Sequence, residues 1–159
     1  MIFKVAKGTY EIIQNKPITL ISDSLGAGIA IGFINLQKSI FGILSYLFPY
    51  KENDMELDEG WIYSGETLLN LFDRELEKLR INLEDCKWII VGASEFKVNP
   101  EFLDLSEKNL KIAEVWFKRK GIWGEVIKKV KLDCPLHLGL DGKEGFFEIK
   151  VKNRVERYE

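Results

Sequence analysis

The chain has 159 residues, of which 46% are hydrophobic and 30% charged, and its 23 basic and 25 acidic side chains leave a formal net charge of −2. This composition is typical of a single soluble domain spanning residues 1–159, and it gives no electrostatic reason to expect a nucleic-acid partner. Two cysteines and one histidine are too few for a disulfide framework or for a four-ligand structural zinc site.

The start of the chain lacks the apolar core of a secretory signal peptide. The longest apolar stretches, residues 25–36 and 39–50, are shorter than the roughly 20 residues that a membrane-spanning helix needs. We therefore expect a cytoplasmic protein with no membrane insertion. Lysine is much commoner than arginine and glutamine is rare, a bias typical of thermophilic proteins and also of AT-rich genomes.

The first third of the chain is predicted to form β-structure. Residues 18–21 are a β-branched apolar run, and residues 26–36 and 40–48 are two further apolar runs separated by a short polar break. Two such runs across a polar break predict a β-hairpin. The polar residues 50–60 predict a loop that is short enough to lie inside one domain.

Helices and strands are predicted to alternate in the rest of the chain. Apolar side chains recur at helical spacing in residues 67–79, which predicts an amphipathic helix. A second helix is predicted at residues 106–120, with Ser106 as its N-cap and Gly121 just beyond its C-terminal end. Short apolar or alternating runs predict further strands at residues 88–91, 125–132 and 146–152.

The C-terminal residues 153–159 mix charges of both signs and are predicted to be a solvated, frayed tail. Taken together, a β-rich beginning followed by helix, strand, helix and strands predicts an α+β domain.

A glycine-rich dinucleotide-binding loop is suggested by Gly26 and Gly28, but the remaining features of that motif are missing. The sixth position of the motif is Ile31 instead of glycine or alanine, and a strand-like run follows where a helix is required to face the pyrophosphate.

Cys134 and His137 are the one place where a thiol and an imidazole come close in sequence. A neighbouring histidine can serve as the base that generates a nucleophilic thiolate. The favoured interpretation is structural, with Cys134 as a buried small apolar residue and His137 satisfied by backbone. Asp133 or Asp141 would add an oxygen ligand, but a thiol and an imidazole alone do not hold zinc. The residues by themselves therefore predict a binding domain without a catalytic constellation.

Residues 19–49 (TLISDSLGAGIAIGFINLQKSIFGILSYLFP) resemble the opening motif of the chemoreceptor glutamine deamidase family, CheD. That family typically has T-L-G-L-G-S-C-V-x-V followed by G-G-M-x-H-x-x-L-P. Weaker similarities follow in order: residues 63–67 resemble Y-A-D-x-A, residues 90–96 resemble F-G-G-A-x-M-F, and residues 106–121, with Asn109, resemble the second helix. The resemblance covers about residues 5–152.

The resemblance implies a CheD-like α+β fold with mixed sheets and two main helices packed on one side. Members of the family are cofactor-free amidohydrolases in which a cysteine attacks a glutamine side-chain amide, a histidine is the base and a threonine assists. These roles fall on Gly28, Ser45 and Ser22, so that only the assisting hydroxyl is retained. No cysteine or histidine occurs anywhere in residues 1–85.

The predicted function is therefore that of a catalytically inactive CheD-like protein, which binds or regulates chemoreceptor cytoplasmic helices or a CheC-type phosphatase and uses no cofactor. Two alternatives stay open. One is a thiol amidohydrolase that uses a relocated Cys134–His137 pair, because the resemblance places that segment near the family's cleft. The other is a small-molecule-binding domain that reuses the vacated pocket at Gly28 and Ser45.

Overall fold

Two five-stranded sheets and two α-helices form three layers in the computed structural model of the protein, which describes residues 1–96 and 99–159. The strands in these residues are β1 (Ile2–Val5), β2 (Thr9–Gln14), β3 (Thr19–Ser22), β4 (Ile29–Asn35), β5 (Ile40–Tyr46), β6 (Met55–Leu57), β7 (Gly60–Ile62), β8 (Lys87–Gly92), β9 (Ile127–Val130), β10 (Leu136–Asp141), β11 (Phe146–Val151) and β12 (Arg154–Tyr158). The helices are α1 (Gly65–Lys78) and α2 (Pro100–Arg119).

Both large sheets are mixed. The outer sheet has the order β1-β3-β10-β11-β12, with β1 and β3 parallel and the other pairs antiparallel. The central sheet has the order β2-β5-β4-β8-β9, with only β8 and β9 parallel. Strands β6 and β7 form a separate small hairpin. The predicted α+β fold with mixed sheets and two main helices is thus confirmed.

The central sheet is buried on both faces, and its side chains alternate between two cores. Ile29, Ile31 and Phe33 of β4 pack in the cluster that contains the apolar faces of α1 and α2. Ala30 and Ile34 of the same strand pack between the two sheets. This two-residue alternation follows from strand geometry, and it explains why β4 and β5 are continuous apolar runs.

The hairpin predicted from residues 26–36 and 40–48 is confirmed as β4 and β5, which pair antiparallel along their full length. The strands predicted at residues 88–91, 125–132 and 146–152 correspond to β8, β9 and β11. The segment 50–60, predicted as a loop, also carries a short 3₁₀ turn and most of the β6–β7 hairpin.

The prediction that Ser106 caps the second helix was wrong. Helix α2 begins at Pro100, and the Oδ1 atom of Asn99 accepts hydrogen bonds from the amides of Glu101 and Phe102. An asparagine cap followed by proline is a stronger start signal than an isolated serine. Ser106 lies inside the helix, 2% exposed, where its hydroxyl donates to the Ser94 carbonyl.

The prediction of a frayed tail at residues 153–159 was also wrong, because β12 pairs with β11 at the edge of the outer sheet. Its mixed charges form specific contacts: Glu156 accepts hydrogen bonds from Tyr158 Oη at 2.7 Å and Arg154 Nε at 3.0 Å. Lys129 Nζ of β9 lies 3.0 Å from the same carboxylate and links the edges of the two sheets. The hydrogen bonds from Tyr158 and Lys129 lower the pKa of Glu156 to about 2.

Neither helix of the described residues 1–96 and 99–159 is long and apolar enough to cross a membrane.

Replacing Glu156 is expected to change the pH dependence of stability. The pKa of Glu156 falls from an ordinary 4.5 to about 2 on folding, so the charged carboxylate stabilises the fold fully above pH 4.5. That stabilisation is lost as the pH falls towards about 2. Glu156→Gln should therefore lower the free energy of unfolding near pH 7 but have much less effect near pH 2.5, as measured by urea unfolding.

Glu144→Gln, in the exposed turn between β10 and β11, is the matched control and should leave stability unchanged at both pH values. A Glu156→Gln variant that is equally destabilised near pH 7 and near pH 2.5 would contradict this role of the carboxylate.

Candidate functional site

Ser22, Gly28 and Ser45 lie at the same end of the two packed sheets. Ser22 pairs with Val5 in the outer sheet, Ser45 pairs with Thr9 in the central sheet, and the short turn between Val5 and Thr9 joins the sheets there. Strand alternation places Ser22 and Ser45 on the faces that pack between the sheets. These pairings place the three positions that the CheD resemblance selects at one end of the two sheets.

Gly28 offers neither a nucleophile nor space for one. It is buried immediately before β4, and its carbonyl accepts a hydrogen bond from the Ala93 amide at 2.9 Å. A Cβ atom added at Gly28 would lie 2.9 Å from the Tyr46 carbonyl oxygen. This is closer than real Cβ contacts, so a side chain at this position would require the backbone of β5 to shift.

The two serines are sealed from solvent. Ser45 is 0% exposed, and within the described residues its hydroxyl has no hydrogen-bond partner. Ser22 is 1% exposed, and its Oγ donates to the Asp23 carbonyl and accepts from the Leu138 amide, both at 2.9 Å. The Ser22 hydroxyl thus joins β3 to β10, and no base of the described residues is hydrogen-bonded to the Ser45 hydroxyl to activate it.

Asn109 of α2 holds the backbone around Gly28 and Ser45. Its side chain is fully buried, and Nδ2 donates to the Ala27 carbonyl at 2.9 Å and to the Leu47 carbonyl at 2.7 Å. The Tyr46 hydroxyl donates to the backbone carbonyl of Asn109 at 2.7 Å. One amide therefore fixes the first turn before β4 and the end of β5 against the helix layer.

A second set of buried polar contacts closes the same end of the molecule. The Ser94 amide donates to the Gly26 carbonyl at 2.8 Å, and the Ser94 hydroxyl donates to the Cys134 carbonyl at 3.0 Å. Ser106 of α2 donates to the Ser94 carbonyl at 2.8 Å. No sequence pattern predicts a role for Ser94, because it is only a small polar residue two positions after Gly92, which ends β8.

Cys134 and His137 are not brought together. Cys134 is 7% exposed and belongs to the core between the sheets. His137 is exposed on the opposite face of β10, between the buried Leu136 and Leu138, and its Nδ1 atom lies 3.3 Å from the Ser22 carbonyl. A separation of three residues places the thiol in the core and the imidazole in solvent, so the imidazole is not positioned to act as its base.

Other potential ligands do not complete a metal site with these two residues. Asp133 is exposed in the turn before β10, and Asp141 Oδ1 accepts hydrogen bonds from the amides of Lys143 and Glu144. Within the described part of the chain, no three histidine, cysteine, aspartate or glutamate side chains are grouped so as to hold a metal ion.

No protein-family model matches the chain, and no curated protein matches it. The resemblance to CheD stays a prediction that depends on the order of the motifs.

We predict that His137 does not activate Cys134. In a Cys86→Ser background, alkylation of Cys134 by iodoacetamide near pH 7 should be slower than that of an unfolded-chain cysteine, because the thiol is buried in the core. Adding His137→Ala should leave the rate unchanged. Alkylation faster than that of an ordinary thiol, together with a large decrease in His137→Ala, would contradict the separation of the two groups.

Cys86 is the matched thiol for this experiment. It is half-buried, and burial raises its pKa to about 11. The Cys134→Ser variant, which keeps only Cys86, should therefore also react slowly near pH 7, and both variants should react at ordinary rates in urea.

Proposed function

We propose that this chain is a cytoplasmic CheD-like protein that has lost deamidase activity and acts as a binding or regulatory module in chemotaxis. Its proposed partners are the cytoplasmic helices of chemoreceptors or a CheC-type phosphatase. The observation that carries the proposal is the burial of Gly28, Ser45 and Ser22, the positions at which the resemblance implies a nucleophile, a base and an assisting hydroxyl.

The chemistry of glutamine deamidation supports the loss of activity. A nucleophile must attack the side-chain amide carbon, and a base must accept the proton of the nucleophile before ammonia leaves. Gly28 supplies no nucleophile, and Ser45 has no basic group. Removing the nucleophile of a triad-type enzyme costs on the order of 10⁶ in turnover, which leaves no useful rate.

The accessibility of the site supports the same conclusion. A receptor glutamine would have to reach Ser22 and Ser45, which are 0–1% exposed, past the hydrogen bonds that the Asn109 side chain and the Ala93 amide donate to backbone carbonyls. Ser22 and Ser45 thus lie in a region that resembles the interior of a structural domain. The function of such a domain is carried by its surface, which is why a binding role is preferred over an enzymatic one.

Neither alternative gains support from a specific observation. The relocated hydrolase needs Cys134 beside His137, but Cys134 is buried in the core and His137 is exposed. The small-molecule alternative needs space at Gly28, where a single added carbon would already crowd the Tyr46 carbonyl.

The proposal is tested by measuring activity and binding on the same preparation. Ammonia release from a glutamine-containing receptor cytoplasmic fragment should stay at the level of the buffer, whereas an active CheD enzyme assayed in parallel releases ammonia. Isothermal titration should detect binding of the receptor fragment or of a CheC-type phosphatase at micromolar affinity, on the order of −8 kcal/mol.

The outcomes separate the hypotheses. Ammonia release that Cys134→Ser abolishes would establish the thiol amidohydrolase instead. An inactive protein that binds neither the receptor fragment nor the phosphatase would contradict the chemotaxis role.

A further inference from the structure

A groove of about 420 Å³, which we call the α1–α2 groove, lies between the two helices. Its apolar floor consists of Leu69 of α1 and of Ile112, Val115 and Trp116 of α2. Leu69 and Trp116 are only 3% and 7% exposed, and Ile112 and Val115 are half-buried. A concave site of this volume, apolar at its floor and with a few polar groups around it, is typical of small-molecule binding.

The charged residues on the rim of the α1–α2 groove are mainly basic. Lys51, Lys111 and Arg119 are exposed there, whereas Glu66 is acidic and its carboxylate accepts a hydrogen bond from the Lys51 amide at 3.1 Å. Within residues 1–96 and 99–159, neither Lys51 nor Arg119 forms an ion pair, and Lys111 has only a long contact of 3.8 Å with Glu114. The rim therefore presents cationic groups that are available to bind an anion.

These cationic groups lie at the two ends of the α1–α2 groove. Lys51 precedes α1, and Lys111 is close to the same end, because it also lines a neighbouring cavity together with Tyr50. Arg119 is the last residue of α2 and lies about two helical turns beyond Lys111, which corresponds to roughly 12 Å along the helix. An anion that pairs with both ends must therefore be elongated.

Trp116 supplies an unsatisfied hydrogen-bond donor beside Arg119. Its Nε1 atom is buried and has no hydrogen-bond partner in the described part of the chain, which is unfavourable for a polar group. Trp116 and Arg119 are three residues apart on α2, so their side chains are neighbours on the helix surface. An ion pair of 2.7 Å between Lys120 and Asp73 joins the two helices here, and the Lys120 ammonium lies 5.7 Å from the centroid of the Trp116 ring.

We propose that the α1–α2 groove binds an elongated organic dianion with an apolar middle. One carboxylate of this ligand pairs with Arg119 and accepts a hydrogen bond from Trp116 Nε1. The other carboxylate pairs with Lys111 and Lys51 at the opposite end. The hydrocarbon between the two carboxylates covers the apolar floor.

Two features favour a small molecule over a macromolecule. None of the exposed large apolar side chains of the described residues lines the α1–α2 groove, so its recessed floor offers no aromatic or aliphatic anchor to a protein surface. A nucleic acid requires many phosphate contacts, whereas this rim has three basic side chains and the whole chain has a net charge of −2.

The α1–α2 groove is separate from the positions that the CheD resemblance selects, since none of Ser22, Gly28 and Ser45 lines it. This proposal therefore goes beyond the proposed function. Absence of chemotaxis partners in the experiment above would leave it standing.

The probe is decanedioate, an extended hydrocarbon chain with a carboxylate at each end, titrated into the full ¹⁵N-labelled chain. Two-dimensional ¹⁵N–¹H spectra give one indole signal for each of the four tryptophans, and Trp116→Phe identifies that of Trp116. Decanedioate should shift this signal more than those of Trp61 and Trp123, with a sub-millimolar dissociation constant that rises with salt.

Two matched ligands test the length and the charge of the occupant. Butanedioate is too short to reach both ends of the groove, and decane-1,10-diamine has the opposite charge. Each should bind at least about tenfold more weakly than decanedioate.

Lys111→Gln with Arg119→Gln should weaken binding of decanedioate about fivefold or more, because each carboxylate loses a cationic partner. Arg74→Gln with Lys78→Gln is the matched control, since it removes two exposed basic side chains of α1 that do not line the groove. It should change the affinity less than about twofold. Trp116→Phe keeps an aromatic ring but removes the indole donor, so it should weaken binding about threefold or more. Urea unfolding of every variant verifies that the fold is kept.

Three results would overturn the proposal: a Trp116 signal that does not move at millimolar decanedioate, equal losses of affinity in the two double variants, or binding of the diamine with equal affinity. Tighter binding of duplex DNA or of an acidic helical peptide, abolished by Lys111→Gln with Arg119→Gln, would also overturn it and would assign the groove to a macromolecule.

Discussion

The side-chain amide of Asn109 connects the helix layer to the two strands that form the candidate site. It donates to the carbonyls of Ala27 and Leu47, and the Tyr46 hydroxyl donates to the backbone carbonyl of Asn109. These partners flank β4 and β5, whose antiparallel pairing sets Gly28 beside the end of β5. Because a buried carbonyl left without a donor costs about 1–3 kcal/mol, the amide both stabilises this end of the protein and keeps it closed.

The proposed function depends on the burial of this end of the protein. Ser94, Ser106 and Cys134 form a second chain of buried hydrogen bonds beside the first. Together the two sets satisfy the backbone carbonyls of Gly26, Ala27, Leu47 and Cys134 inside the protein. The positions at which the CheD resemblance implies a nucleophile, a base and an assisting hydroxyl therefore carry Gly28, Ser45 and Ser22, and all three are buried.

Sequence patterns predicted the elements with long, uniform signals. The apolar runs of β4 and β5 and the helical periodicity of α1 lead directly to the observed elements. The short strands β1, β2 and β10 have weaker patterns, and pairing across long sequence distances determines them. Strand β12 was missed because its charged residues are typical of a solvated tail. The ion pair between Glu156 and Lys129, which lies on the distant strand β9, becomes visible only in the structure.

The residue types at the candidate site could be predicted from the sequence, but the space and contacts around them could not. The absence of cysteine and histidine from residues 1–85 is visible in the sequence, whereas the lack of space at Gly28 depends on the position of the Tyr46 carbonyl. Cys134 and His137 are neighbours in sequence, but strand alternation directs His137 to solvent. Asn109 was noted only within the CheD resemblance, since a single polar residue in an amphipathic helix does not reveal that it is buried.

Native-state hydrogen exchange tests most directly whether this end of the protein stays closed. The informative amides are those of Ala93, Ser94 and Leu138, which donate to Gly28 O, Gly26 O and Ser22 Oγ. We predict that these amides exchange only through global unfolding, and that Asn109→Ala accelerates their exchange whereas Asn70→Ala, an exposed position on α1, does not. Exchange through a local opening far below the global free energy of unfolding would contradict a closed site, and would show that a ligand or substrate can reach Gly28 and Ser45.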